Sequence, residues 1–277
     1  RGTAAMLAVT ALAALAGCTA GEESGVTTLI FFQFLGEARE DFDEIIAQFE
    51  AENPDIKVVQ NQVADADTII RTLLVKDKAP DVITLNGNGN FGRLASAGVF
   101  YDFSQEPVLE TINPAVQEIL ADLGNKEGEV NSLGYVNNAN GIIYNADIFA
   151  EQGIEVPETW DELIAACEQL QDAGIQPIYA TLADSWTAVP SFNGLGAYAV
   201  QDGFFDEMRA EGENVGPDSA VSFEKDFAEP LDRELELYSY AQEGYRGATY
   251  DDGNAAFARG EAAMLLQGIW AVNGIKQ

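Results

Sequence analysis

Between Val26 and Leu85 two hydrophobic periods alternate along the chain, and this alternation restricts the possible folds more than any other feature. Val26 to Leu35 (VTTLIFFQFL) is a near-continuous apolar, β-branched and aromatic run, the pattern of a strand buried on both faces. Phe42, Ile45, Ile46 and Phe49 then recur at i, i+3, i+4 and i+7, an apolar stripe on an acidic helix that Asn53-Pro54 ends. A second strand is expected over Ile56 to Val63, then a helix with Ile69, Ile70, Leu73 and Leu74 inward. Pro80 opens a third short strand, Asp81 to Leu85. Strand–helix alternation of this kind implies an α/β fold with a parallel sheet flanked by helices. Ligands of such sheets sit beyond the carboxyl ends of the strands. Here those ends are Gln33-Phe34-Leu35-Gly36 and Asn86-Gly87-Asn88.

Farther on, Asp102 to Gly128 is less regular, with helical patterning around Pro114 to Leu123. Two extended runs follow, Val130 to Val136 and Gly141 to Tyr144, separated by the polar Asn137-Asn138-Ala139-Asn140. The pattern then restarts, which predicts an N-terminal lobe over 26–136, a hinge or crossover over 137–144 and a second lobe over 145–277. Asn145 begins a helix that stops at Gly153. Thr159 and Glu162 form a capping box that opens the next helix, worth about 1 kcal/mol for the cap alone. Leu163, Ala166, Cys167 and Leu170 are its buried face, and Gly174 closes it. Pro177 to Ala180 is the next expected strand. Phe223 to Glu243 is helical with an interruption at Pro230.

Ahead of all this, Ala4 to Ala16 is apolar and small-residued. It is shorter than the roughly 20 residues a membrane-spanning helix needs, so residues 1–17 are expected to be a secretory signal whose n-region is incomplete. Leu15-Ala16-Gly17-Cys18 resembles the lipobox of bacterial lipoproteins. That resemblance implies cleavage before Cys18, a diacylglyceryl group on its sulfur and a polar tether over 18–25. An ordinary signal peptide with a chance Cys is the alternative. The second cysteine, Cys167, lies on a helix face, where a lone thiol acts as a small hydrophobe.

The chain has no His, which removes the commonest metal ligand and the commonest general base. No metal, cofactor or catalytic residue is expected. A net charge of −32 repels nucleic acid and anionic lipid headgroups alike, so membrane attachment would have to be covalent.

Two long phrases carry a family resemblance. Tyr144 to Ile178 (YNADIFAEQGIEVPETWDELIAACEQLQDAGIQPI) resembles a segment of ABC-importer extracellular solute-binding proteins of the sugar-binding family 1. Ala256-Phe257-Ala258-Arg259-Gly260-Glu261-Ala262-Ala263-Met264, followed by Gly268-Ile269-Trp270, is similar to that family's phrase before its ligand-stacking Trp. Pro80-Asp81-Val82 also fits. The resemblance implies a two-lobed type II periplasmic-binding-protein fold, each lobe a mainly parallel sheet flanked by helices. It also implies a family tail beyond Gln277, so the sequence is expected to be clipped at both ends. By the same token the chain is expected to be a monomer outside the cell membrane or in the periplasm. It would capture a mono- or oligosaccharide and pass it to ABC permease subunits by hinge closure.

Sugar recognition needs flat apolar faces for the ring and planar polar groups for its hydroxyls. Trp270 matches the stacking position of the resemblance. Trp186, after the strand at Pro177 to Ala180, is either a cleft or a core residue, and Trp160, inside the capping box, is expected to pack. Gln33, Phe34, Glu37, Asn86, Asn88 and Asn138 are ligand candidates whose other reading is turn or cap. Gly87-x-Gly89 lacks the context of a dinucleotide fingerprint. Asp251-Asp252 and the helical Glu residues are most simply a solvated face, and no pair of carboxylates is marked out for glycoside hydrolysis. The same fold binding a polyamine, peptide or metal chelate is the alternative function, and a secreted glycoside hydrolase the remote one.

Overall fold

The computed structural model describes residues 25–216 and 218–276. Cys18, the signal and most of the tether therefore lie outside the described residues. Two compact units divide at Asn86/Gly87.

In the first unit β1 (Thr27–Gln33) is central to a three-stranded sheet of order β2-β1-β3. It pairs in parallel with β2 (Ile56–Gln62) along its whole length and with β3 (Val82–Ile83) through Phe31 and Phe32. Helices α1 (Arg39–Glu52) and α2 (Ala66–Val75) make the crossovers. The burial expected for the first strand holds only in its second half, where Phe31, Phe32 and Gln33 are buried while Thr27 and Thr28 are exposed. The stripe on α1 is likewise covered only in part. Phe42 meets Phe31 edge-on with ring centroids 5.0 Å apart, but Ile45 is 59% exposed and Phe49 is 38% exposed. The helix lies over β2, an edge strand, and the sheet is too narrow to cover the whole stripe.

The second unit begins with α3 (Gly89–Ser96) and α4 (Pro114–Leu123), which touch where Gly92 has no side chain; a Cβ there would overlap the Leu123 carbonyl. The extended run expected over Val130 to Val136 is not a strand. Its backbone groups find loop partners instead: Val130 N–H donates to Asp102 (3.0 Å), and Phe103 N–H donates to the Val130 carbonyl (2.8 Å). The buried Asn131 side chain accepts from Lys126 N–H at 2.8 Å. A segment whose polar groups are satisfied in this way needs no ladder.

Beyond it, β4 (Asn140–Tyr144), β5 (Ile178–Tyr179) and β6 (Met264–Gly268) form a sheet of order β4-β6-β5. This sheet is mixed: β5 is parallel to β6, and β4 is antiparallel to it. The part of the 137–144 crossover from Asn140 on is thus a strand of the second sheet. Between β4 and β5 run α5 (Ala146–Gln152), capped by Asn145 and closed by Gly153 at φ 66°, and α6 (Trp160–Asp172). The capping box is present: Glu162 N–H donates to Thr159 Oγ1 (3.3 Å), and Thr159 N–H donates to Glu162 Oε2 (3.1 Å). The backbone N–H groups of Glu158 and Thr159, which both donate to Oε2, hold the Glu162 carboxyl below its ordinary range.

After β5 come α7 (Val189–Leu195), α8 (Ala197–Gln201), α9 (Phe204–Glu211), α10 (Phe223–Asp226) and α11 (Ala228–Ser239). Helix α12 (Tyr250–Ala258) precedes β6, and α13 (Ala271–Lys276) follows it. The break expected at Pro230 falls earlier, at Phe227, because Pro230 sits in the first turn of α11, where a missing N–H costs no intrahelical bond. The core gathers Phe149, Leu163, Cys167, Leu170, Ile178, Leu237, Met264 and Leu266 around β6. Burial pushes the Cys167 thiol up to about 12, which keeps it unreactive.

Gly92→Ala must force α3 from α4, so it is expected to lower stability by about 1–3 kcal/mol, measured by urea denaturation. A loss below the error of that measurement would contradict the close approach.

Candidate functional site

The carboxyl ends of β5 and β6 point the same way, and each runs into a turn carrying a Trp. After β5 the chain passes Thr181 to Asp184 and enters a single 3-10 turn, Ser185–Ala188, that contains Trp186. Thr187 Oγ1 donates to the carbonyls of Thr181 (2.8 Å) and Asp184 (2.9 Å), closing this turn on itself. The loop is stitched to the segment before α12: Leu182 and Ala183 N–H donate to Tyr245 and Ala248, and Tyr250 N–H donates to Asp184 Oδ2 at 2.7 Å. After β6, Gly268-Ile269-Trp270 makes the turn into α13.

Three aromatic rings meet there. Trp186 lies 5.2 Å from Tyr250 and 6.3 Å from Trp270 between ring centroids, tilted by 51° and 57°. Trp186 is 45% exposed, and Tyr250 and Trp270 are half-buried. Such a group offers tilted apolar faces to solvent, with Trp270 Nε1 held by Gln267 Oε1 at 3.1 Å. Tilted faces of this kind suit the CH surfaces of a sugar ring.

Asn138 is exposed, and the carbonyl of its neighbour Ala139 accepts from Ile269 N–H at 3.0 Å, so Asn138 stands beside the Trp270 turn. Trp186, Trp270 and Asn138 therefore share one end of the second sheet. Tyr250 completes the group and was not anticipated. Its signal was Thr249 with Asp252, a capping box that fixes Tyr250 as the first residue of α12. Asp252 thus has a structural task besides facing solvent, and the Thr249 donors hold its carboxyl below its ordinary range.

The other candidates are placed differently. Gln33 has no exposed surface; its Nε2 donates to Gln60 Oε1 at 2.6 Å inside the first unit. Phe34 is half-buried just past β1, and Asn86 is exposed at the end of its unit. Asn88 belongs to the second unit and caps α3, its Oδ1 accepting from Asn90 N–H (2.9 Å) and Phe91 N–H (3.1 Å). Glu37 lies in a 3-10 turn, Gly36–Ala38, where burial pushes its carboxyl above the ordinary range. Trp160 packs against the core with the Arg233 guanidinium 5.2 Å above its ring. It borders an apolar groove of about 410 Å³ together with Tyr144, Phe149, Leu163, Leu237 and Met264; neither Trp186 nor Trp270 lines this groove. Among the described residues no cluster of three or more Cys, Asp or Glu could hold a metal ion, and no helix is long and apolar enough to cross a membrane.

A family model described as bacterial extracellular solute-binding protein matches residues 36–277. The chain belongs to that family. It is a family of binding proteins that work outside the cytoplasm, on the extracellular side or in the periplasm. Among relatives, the multiple sugar-binding protein of Streptococcus mutans is 30% identical over 254 residues, covering 90% of this chain and 59% of that protein. The sn-glycerol-3-phosphate-binding periplasmic protein of Escherichia coli K12 is 25% identical over 200 residues, covering 66% and 45%. Among solved structures, the solute-binding protein RafE in complex with raffinose superposes with a TM-score of 0.76 at 30% identity, covering 91% of this chain and 65% of that one. A chitin oligosaccharide binding protein shares the fold at TM-score 0.72 and 22% identity, covering 90% and 63%. The fold class is therefore α/β, of the type II periplasmic-binding-protein kind, and the chain spans about 59% of the length of the curated sugar-binding relative.

Because Glu37 has a raised carboxyl pKa in the folded state, the folded chain holds its proton more tightly than the unfolded one. Its contribution to stability is then fullest below the unfolded value and falls as pH rises through the folded one. Glu37→Gln is expected to gain stability relative to the parent at pH 7 and to show no gain at pH 3.5. Thermal melting at the two pH values checks this, and an equal difference at both would contradict it.

Proposed function

We propose that this family member captures a carbohydrate, a mono- or oligosaccharide, and delivers it to the permease subunits of an ABC importer. The observation that carries the reading is the group of Trp186, Tyr250 and Trp270 at the carboxyl ends of β5 and β6, with Trp186 half open to solvent. Two relatives that bind sugars by name, one from Streptococcus mutans and one complexed with raffinose, support it. A net charge of −32 disfavours an anion such as the glycerol phosphate bound by the Escherichia coli relative.

In this reading the protein is a binding protein and not an enzyme, works as a monomer and needs no cofactor. Cys18 would carry the lipid that anchors it outside the membrane. The lobes would span 26–136 and 145–277, joined by the crossover at 137–144, and would close on the solute as periplasmic binding proteins do by hinge motion. Closure is driven only by as much as the sugar prefers the closed state.

In the full-length gene product, Trp270→Ala is expected to weaken sugar binding by about 1 kcal/mol or more, roughly fivefold, in calorimetric titration. A thermal-shift panel of raffinose, shorter sugars, sn-glycerol 3-phosphate and spermidine selects the ligand. Stabilisation by spermidine alone would overturn the carbohydrate reading, and unchanged affinity in Trp270→Ala would remove Trp270 from the site.

A further inference from the structure

Trp270 is the one ring of the aromatic group whose orientation is held from two sides by its own strand. Below it lies Gly268, where a Cβ would lie 2.2–2.6 Å from three atoms of the indole's six-membered ring. At its edge the indole Nε1 donates to Gln267 Oε1 at 3.1 Å. An indole N–H is a donor and nothing else, so the Gln267 amide must turn its oxygen toward Trp270 and its NH2 group inward. The inward Nε2 is buried and has no hydrogen-bond partner among the described residues, although Gln267 is only 1% exposed. Leaving a buried donor unpaired is costly. The amide adopts this arrangement nonetheless, with Asn254 Oδ1, also buried and unpartnered, on the neighbouring α12.

An apolar side chain would fill the same place in the β6 core without that cost. Leu265, on the same face of the strand, does so against Gly253 of α12. A core role alone therefore does not account for Gln267. We infer that Gln267 is a positioning residue: with Gly268 it fixes the plane of the Trp270 indole before any solute arrives. A ring held in its bound orientation loses less freedom on binding, so the constraint strengthens stacking without touching the ligand. The consequence for affinity rests on the carbohydrate reading; the orientation itself does not.

The test separates the two. Each Trp residue gives one indole N–H signal in a 15N-correlated NMR spectrum of the unliganded full-length protein. The Trp270 signal is identified by its loss in Trp270→Phe. Gln267→Leu removes the acceptor and should move that signal upfield and speed its exchange with water. Gln267→Glu keeps an oxygen acceptor and should leave the signal near its original place.

Stability should run the opposite way. Gln267→Leu removes the unpaired amide NH2 group from the core and should melt no lower than the parent, while Gln267→Glu places a carboxyl there and should melt lower. Affinity for raffinose, or for the sugar the thermal panel selects, should fall fivefold or more in Gln267→Leu and stay within about twofold in Gln267→Glu. An unmoved Trp270 signal in Gln267→Leu overturns the inference, as does an affinity that follows melting temperature in both variants. Should the parent bind no sugar, the carbohydrate reading fails and the NMR signal still decides the role of Gln267.

Discussion

The burial of β6 is the constraint on which the second unit depends. All five of its residues, Met264 to Gly268, are buried, with β4 on one side and β5 on the other. Full burial of Leu or Met side chains contributes about 1.5–3 kcal/mol each, so this short strand is a large share of what holds the unit together. Its two faces do different work. Met264 and Leu266 join the core formed with α6 and α11, while Gln267 turns toward Trp270. Because the strand cannot shift without losing its ladder on both sides, the turn that follows is placed as rigidly as the core. A binding surface built on such a turn is pre-organised by packing that has nothing to do with the ligand.

The same logic holds for Trp186. Its turn is closed by Thr187 on Thr181 and Asp184, and Asp184 in turn holds the start of α12 through Tyr250 N–H. Two rings from the turns after separate strands and a third from a helix start are thereby brought within 5.2–6.3 Å along the chain of contacts. Anchored loops around an exposed aromatic surface agree with membership of a family of extracellular solute-binding proteins.

What could be read from the residues was what local chemistry decides. Thr159 with Glu162 foretold the start of α6, and Gly153 and Gly174 the ends of two helices. What could not be read was decided by partners far away in sequence. Val130 is bonded by Asp102, 28 residues earlier, and so stays out of any strand. Ile45 and Phe49 follow a perfect helical stripe, yet the width of the sheet under α1 leaves them exposed. Among the candidate site residues, Trp270 was legible through its motif. Tyr250 is not legible in the sequence, because Asp252, which with Thr249 caps the helix that Tyr250 begins, reads as one more solvated acid in a very acidic chain. Gln33 was placed correctly at a strand end, but its fully buried amide depends on Gln60 across the sheet.

On the proposed function, solute is held at the ends of β5 and β6. Hydrogen–deuterium exchange on the full-length protein, with and without the sugar that stabilises it most, tests this directly. Protection is expected in the peptides spanning 184–188 and 267–272, where Trp186 and Trp270 stand. Protection confined to the groove around Trp160 would contradict the account, as would the absence of any protection at saturating sugar.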